Sequence, residues 1–297
     1  MNLKSLRIEN FKAFGKNPRA IPIKPITLVF GSNSAGKSSL LHSLLWLNHA
    51  VSRGETDVYH PTLSGQSVNL GGFKSCLNRN TIADHLKYSI EVEHSNLKFK
   101  DIEKPRWIDS ISRFTLTFVV RRPSKDQIPR LSAFKILGDD IELLTAWSSA
   151  KDKRGEFSSK INFEHPAMPF TSSADDVCKE QLASINSHGA YDLQADDFLP
   201  RRMELNFLSE LLVVVDSNSN FKRHLSFLVK EFPSGMIGLF ADLSSMIRGI
   251  QYLPPLRVIP DRSMDIRSCE LPGWRSLGKR PELLDKVNGT LKLLKFE

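Results

Sequence analysis

Cysteine is scarce in this sequence, with three residues (Cys76, Cys178 and Cys269) in a chain of 297. They are odd in number and widely spaced, and none has a CxxC or CxxH neighbour. That argues against a zinc site or a disulfide framework and fits reduced thiols in a cytoplasmic protein. Long hydrophobic runs are missing too. No window approaches the roughly 20 apolar residues of a membrane span, so no membrane partner is expected. The N-terminus, Met-Asn-Leu-Lys-Ser-Leu-Arg-Ile, lacks a signal-peptide core and alternates apolar with polar residues as a strand does. The eight histidines are scattered without H-E-x-x-H or Cys/His spacing, so no metal cluster can be read. His42 and His49 sit in a helical stretch where packing or surface roles are the default. No Ser/His/Asp set, nuclease-like carboxylate group, internal repeat or low-complexity tract can be assembled.

What remains is an ordinary globular composition, 40% hydrophobic and 25% charged, long enough for one large domain or two medium ones. The net charge of +8 makes nucleic acid the first partner to consider, because phosphate contacts release counterions. A basic but uncommitted surface accounts for it equally well. The basic residues fall in small clusters, Lys151/Lys153/Arg154, Arg121/Arg122 and Arg201/Arg202, rather than in one tail.

Along the chain, residues 3–14 read as a strand with Leu6 and Ile8 on one face, followed by Phe11 and Phe14. After a turn at 15–18, the wholly apolar Ile-Thr-Leu-Val-Phe at 26–30 reads as a strand buried on both faces. A glycine-bearing loop follows, then an amphipathic helix carrying Leu40, Leu41, Leu44, Leu45 and Val51. Residues 52–82 look like an irregular surface excursion. Segments in 84–164 suggest an antiparallel meander with long turns. Polar residues 166–200, including Ser172–Asp176, suggest a loop or linker, and helical patterns return in 203–250. The expected organisation is a nucleotide-binding lobe (1–83), an antiparallel β-rich subdomain (84–165), a mainly helical segment (166–250) and a C-terminal segment returning to the lobe (251–297).

Gly31, Gly36, Lys37 and Ser38 fill the pattern G-x-x-x-x-G-K-[ST], with Ser32, Asn33, Ser34 and Ala35 between the glycines. A phosphate-binding loop needs a strand before it and a helix after it, and the local pattern supplies both. Glycines let consecutive backbone N–H groups face the phosphates, and the helix start adds its positive dipole end. Lys37 then reaches the β- and γ-phosphates of ATP or GTP, and the Ser38 hydroxyl ligates Mg²⁺.

The loop interior, continuing through Ser39, Leu40 and Leu41, resembles that of SMC/RecF-like ABC-type ATPases. Leu6-x-Ile8-x-Asn10-Phe11-Lys12-x-Phe14 resembles that group's opening strand. The resemblance implies Lys12 as a second phosphate contact, set against a solvated strand-end lysine. It implies Phe11 and Phe14 beside the base, set against plain core packing. Ser67–Phe73, Tyr252–Arg257 with Pro260 and Arg262, and Val287-Asn288 resemble stretches of bacterial stand-alone, defence-associated members. Asn69, Gly72 and Pro254 depart from that pattern.

The implied fold is an α/β P-loop NTPase lobe of the ABC/SMC type with an antiparallel β-subdomain and helical segments. The implied activity is ATP-gated dimerisation with hydrolysis, on DNA or in anti-phage defence, by a homodimer or with a partner ATPase half. A signature motif and a Walker B strand ending in Asp-Glu do not follow the Val-Asn helix before Glu297, so no general base is found and poor hydrolysis alone is expected. Leu63-Ser64-Gly65-Gln66 imitates a signature motif in a turn-rich position, with Gln66 also readable as a nucleotide-lid glutamine. Leu211–Asp216 imitates Walker B, but Ser217 stands where glutamate is needed. A non-catalytic nucleotide-sensing or DNA-binding subunit is the rival reading, and a truncated ATPase a third.

Overall fold

The computed structural model describes residues 2–32, 35–63, 66–79, 84–93, 105–123, 127–148, 156–169, 191–195, 198–205, 224, 226–252, 282, 285–286 and 289. Ser64-Gly65, Ser172–Asp176, Leu211–Asp216, 253–262, Val287-Asn288, Cys178 and Cys269 lie outside these residues.

The described chain is mixed α/β, built on a nine-stranded, wholly antiparallel sheet. Its strands are β1 (Asn2–Glu9), β2 (Ile21–Pro22), β5 (His85–Glu93), β6 (Arg113–Arg121), β7 (Arg130–Gly138), β8 (Ile141–Trp147), β9 (Glu156–Ile161), β10 (Tyr191–Gln194) and β11 (Arg202–Leu205). Two-residue strands β3 (Thr62–Leu63) and β4 (Gln66–Ser67) form a separate ribbon. The sheet order is β11-β10-β9-β8-β7-β6-β5-β1-β2. From β5 onward each strand pairs with its sequence neighbour, as the alternating segments of 84–164 predict. The N-terminal strand β1 joins the same sheet, with Leu6 opposite Ile90.

Strict alternation explains the two-faced sheet. Along β5, Leu86, Tyr88, Ile90 and Val92 are buried, while His85, Lys87, Ser89 and Glu91 face the other way. Helix α1 (Lys37–Arg53) and helix α3 (Phe232–Arg248) share one contiguous core with the apolar face. Between them comes the short helix α2 (Gly72–Cys76). The Asn48 amide on α1 donates to the Ile247 carbonyl of α3 at 2.7 Å. The opposite face is a mosaic of ion pairs, Lys4–Glu93 at 2.6 Å, Lys87–Glu9 at 3.6 Å and Arg113–Glu91 at 3.2 Å among them.

Strand β8 escapes the sequence reading, although its alternation is clear once the turn before it is placed. Asp139 and Asp140 both hold positive φ, 46° and 68°, the conformation that a two-residue hairpin requires to match strand twist. Asparagine or glycine usually marks such a turn, and two aspartates give a weaker signal.

Two expectations are corrected. Residues 26–30 form no strand. Ile26, Leu28, Val29 and Phe30 are 75%, 72%, 45% and 84% exposed, so neither face of the run is covered by the described residues. The apolar composition encodes a need for burial, but the covering layer must come from elsewhere. Residues 52–82 are also more than a surface excursion. Val58, Leu70, Phe73 and Cys76 belong to the core, and an Asp57 carboxylate oxygen accepts the Phe73 N–H at 2.7 Å. The turn into α2 needs its glycine: Gly72 has φ +78°, and a β-carbon there would lie 2.7 Å from the Tyr59 ring.

Candidate functional site

The site starts at the N-terminus of α1. Gly36 precedes the helix with φ 92° and ψ 9°, a left-handed conformation that favours glycine, and no side chain caps the first turn. The first helical bond runs from Leu40 N–H to Gly36 O at 3.1 Å. Among the described residues no side chain caps the first-turn amides at this positive dipole end, an arrangement suited to an anion. Before the helix, the Ala35 N–H donates to the Ser32 carbonyl at 3.2 Å, folding the loop back on itself. Gly31, Ser32, Ala35 and Ser38 are exposed, and Gly36, Lys37 and Ser39 partly so. Asn33 and Ser34 lie outside the described residues.

Lys37 curls over this loop, its ammonium donating to the carbonyls of Gly31 and Ser32, both at 2.7 Å. Both acceptors are neutral, and no described carboxylate pairs with the Lys37 cation. The described partners of the Lys37 ammonium therefore carry no formal charge.

The second component is the turn that follows β1. Phe11 and Phe14 bond each other across it, N–H to carbonyl, at 3.0 and 2.8 Å. Asn10 and Lys12 both adopt positive φ, 62° and 45°. Such conformations cost on the order of 1 kcal/mol or more for non-glycine residues and persist where the surroundings enforce them. Enforcement is visible here. The Lys12 N–H donates to Cys76 O at 2.7 Å, and the Asn78 side-chain amide donates to Lys12 O at 2.6 Å. The Asn78 N–H takes Asn10 O at 3.2 Å, and the Asn10 side chain donates to His85 O. The turn is pressed against the loop, since a β-carbon on Gly36 would lie 3.0 Å from the Ala13 methyl.

Lys12 is half-buried. Its ammonium lies 3.0 Å from His42 Nδ1 on α1. Burial draws the Lys12 pKa below the usual lysine value, with Cys76 opposing the shift. Burial likewise lowers the His42 pKa, and the Lys12 charge lowers it further. Burial pushes the Cys76 thiol up to about 11 against the pull of Lys12.

The structure sets the Lys12 ammonium on His42 of α1 and Ala13 against Gly36, while Lys37 folds over Gly31 and Ser32. It removes Phe11 from any base-stacking role, because Phe11 is fully buried in the core and Phe14 packs partly against it. His49 pairs at the surface with Glu55 at 3.0 Å. Sequence reasoning missed His42, Asn78 and the Cys76 carbonyl as supports of Lys12. Their spacing follows no local period, and only the fold brings them to the turn. Among the described residues no group of three or more His, Cys, Asp or Glu could hold a metal ion. No described helix is long and apolar enough to cross a membrane.

No protein-family model matches the chain. Comparison with curated proteins gives no match. Among solved structures, one from work on the structural biochemistry of ATP-driven dimerization and DNA stimulated activation of SMC ATPases is similar to it. The likeness spans 48% of this chain and 72% of that one, at 13% identity and a TM-score of 0.30.

Proposed function

We propose that this chain binds ATP, or GTP, with Mg²⁺ through Gly31–Ser38, as the nucleotide-binding part of an SMC/RecF-like ABC-type ATPase. The observation that carries the reading is the start of α1, where an uncapped helix end follows a left-handed glycine and Lys37 folds over neutral loop carbonyls. The residues fit the ligand: the first-turn amides and Lys37 take the phosphates, and Lys12 adds a second cation. Ser38 is the protein's single oxygen on Mg²⁺. One protein ligand suits a cation that keeps several waters and takes its remaining oxygens from phosphates.

In this reading the general base for hydrolysis comes from a partner, either a second copy or a partner ATPase half. The uncovered apolar run at 26–30 supports a contact surface beside the loop, since exposed contiguous apolar residues mark interaction sites. The net charge of +8 is compatible with action on DNA, in genome maintenance or anti-phage defence. The polar sheet face is a poor candidate for that contact, because its lysines and arginines are largely neutralised by glutamates.

The test is a titration of fluorescent ATP with and without Mg²⁺, with Lys37→Ala and Ser38→Ala in parallel. Lys37→Ala is expected to abolish binding, and Ser38→Ala to remove the Mg²⁺ dependence. Equal affinity in all three proteins overturns the reading.

A further inference from the structure

We infer that His42 is a positioning residue that holds the Lys12 ammonium beside the Ser38 face of α1, ready for a phosphate. The inference rests on the phosphate-site reading above and adds a part to it.

The backbone of Lys12 is fixed at both ends, its N–H on Cys76 O and its carbonyl on the Asn78 amide. Its side chain still has four rotatable bonds, and ordering such a chain costs on the order of 1.5–2 kcal/mol in rotamer freedom. The described contact that restrains the ammonium is His42 Nδ1, at 3.0 Å. Ser38 and His42 are four residues apart on α1, so they stack on one helix face about 6 Å apart along the axis. Helical side chains lean toward the N-terminus, which directs the imidazole, and the ammonium on it, toward the loop. The Gly36–Ala13 contact shows independently that the Lys12 turn rests on that loop.

The protonation states agree with the geometry. Lysine offers three donors and no acceptor, so Nδ1 must accept, which requires a neutral imidazole with its proton on Nε2. Burial and the neighbouring ammonium both favour that neutral form. The hydrogen bond uses one ammonium proton and leaves two for phosphate oxygens. Lys12 can therefore stay on His42 while it meets the ligand.

The test uses His42→Phe, which keeps a ring but removes the acceptor, and His42→Asn, whose amide oxygen replaces Nδ1. Lys12→Met and the double variant complete the set, with thermal unfolding as the folding control. ATP–Mg²⁺ affinity is expected to fall on the order of tenfold in His42→Phe, the scale of one hydrogen bond to a charged group. It should largely recover in His42→Asn and fall no further when His42→Phe is added to Lys12→Met. Unchanged affinity in His42→Phe, or losses that add in the double variant, overturns the inference. If Lys37→Ala binds as well as the parent, the phosphate-site reading is what fails. A nucleotide-free measurement then decides the His42 role: the imidazole ¹⁵N shifts and titration midpoint should move in Lys12→Met, and identical spectra would overturn it.

Discussion

Ala13 sits close against Gly36: a β-carbon on residue 36 would stand 3.0 Å from the Ala13 methyl, so the methyl would have to give way by a few tenths of an ångström. Gly36 thus answers two demands, a left-handed φ of 92° and a neighbour close against it. Gly36→Ala should destabilise the protein by about 1–3 kcal/mol and displace the Lys12 turn. Calorimetry combined with nucleotide titration checks this. A variant with unchanged melting and full affinity would show that the turn does not rest on the loop in solution.

The exposed run at 26–30 gives a prediction of opposite sign. Phe30→Ser and Leu28→Ser remove apolar surface that the described residues leave in water, so stability should change by less than about 0.5 kcal/mol. Association should weaken in the same variants, read by sedimentation velocity with nucleotide present. A large loss of stability would mean that the run is covered within the chain itself.

Asn48 couples α1 to α3 through its bond to the Ile247 carbonyl. Asn48→Ala leaves that buried acceptor without this donor and should cost about 1–3 kcal/mol, measured by denaturant unfolding. Nucleotide affinity of the folded fraction should hold, because the contact lies at the far end of α1 from Lys37.

Alkali should destabilise the fold, and the sign follows from Cys76. An unfolded thiol ionises near 9.0, whereas burial holds the folded one to about 11. Between those values the unfolded chain has lost its proton and the folded chain has kept it. This contribution is therefore complete below about pH 9 and is lost as pH rises toward 11. Buried Tyr88 and Tyr191, both shifted upward by burial, act in the same direction at higher pH. Cys76→Ala should flatten the pH 9–11 limb of the unfolding curve. Cys76 should also resist alkylation at pH 8 until denaturant is added, as peptide mapping would show.

How much of this was legible depended on whether the cause was local. Strands β5, β6, β7 and β9 could be read because alternation along His85–Glu93 or Arg113–Arg121 is a property of the strand itself. The start of α1 after Gly36 could be read because a glycine and the helical spacing behind it act on backbone a few residues away. The fate of 26–30 could not, since five apolar residues demand cover without naming what supplies it. Nor could the support of Lys12. The residues that clamp it, Cys76 and Asn78, and the histidine that holds its ammonium arrive from α2, its following segment and α1. The two φ values that aim it belong to asparagine and lysine rather than to glycine. Asp139 and Asp140 show the same limit, a tight hairpin written in residues that elsewhere end helices or face solvent.

The position of β1 in the sheet sets an order of assembly. From β5 to β11 every pairing is between successive strands, and the longest connection, residues 162–190, is far shorter than the one between β1 and β5. The pairing of β1 with β5 is different, because it encloses residues 31–38, α1 and α2 in a single long closure. Loop-closure entropy places the cost of that seam after the local hairpins that give it an edge to join. The Lys12 turn hangs from β1 and is pinned beyond α2, so it gains its shape only when the seam closes. The Lys12 turn is then a late product of folding, and hydrogen exchange should find β1 and residues 10–14 opening before the meander does.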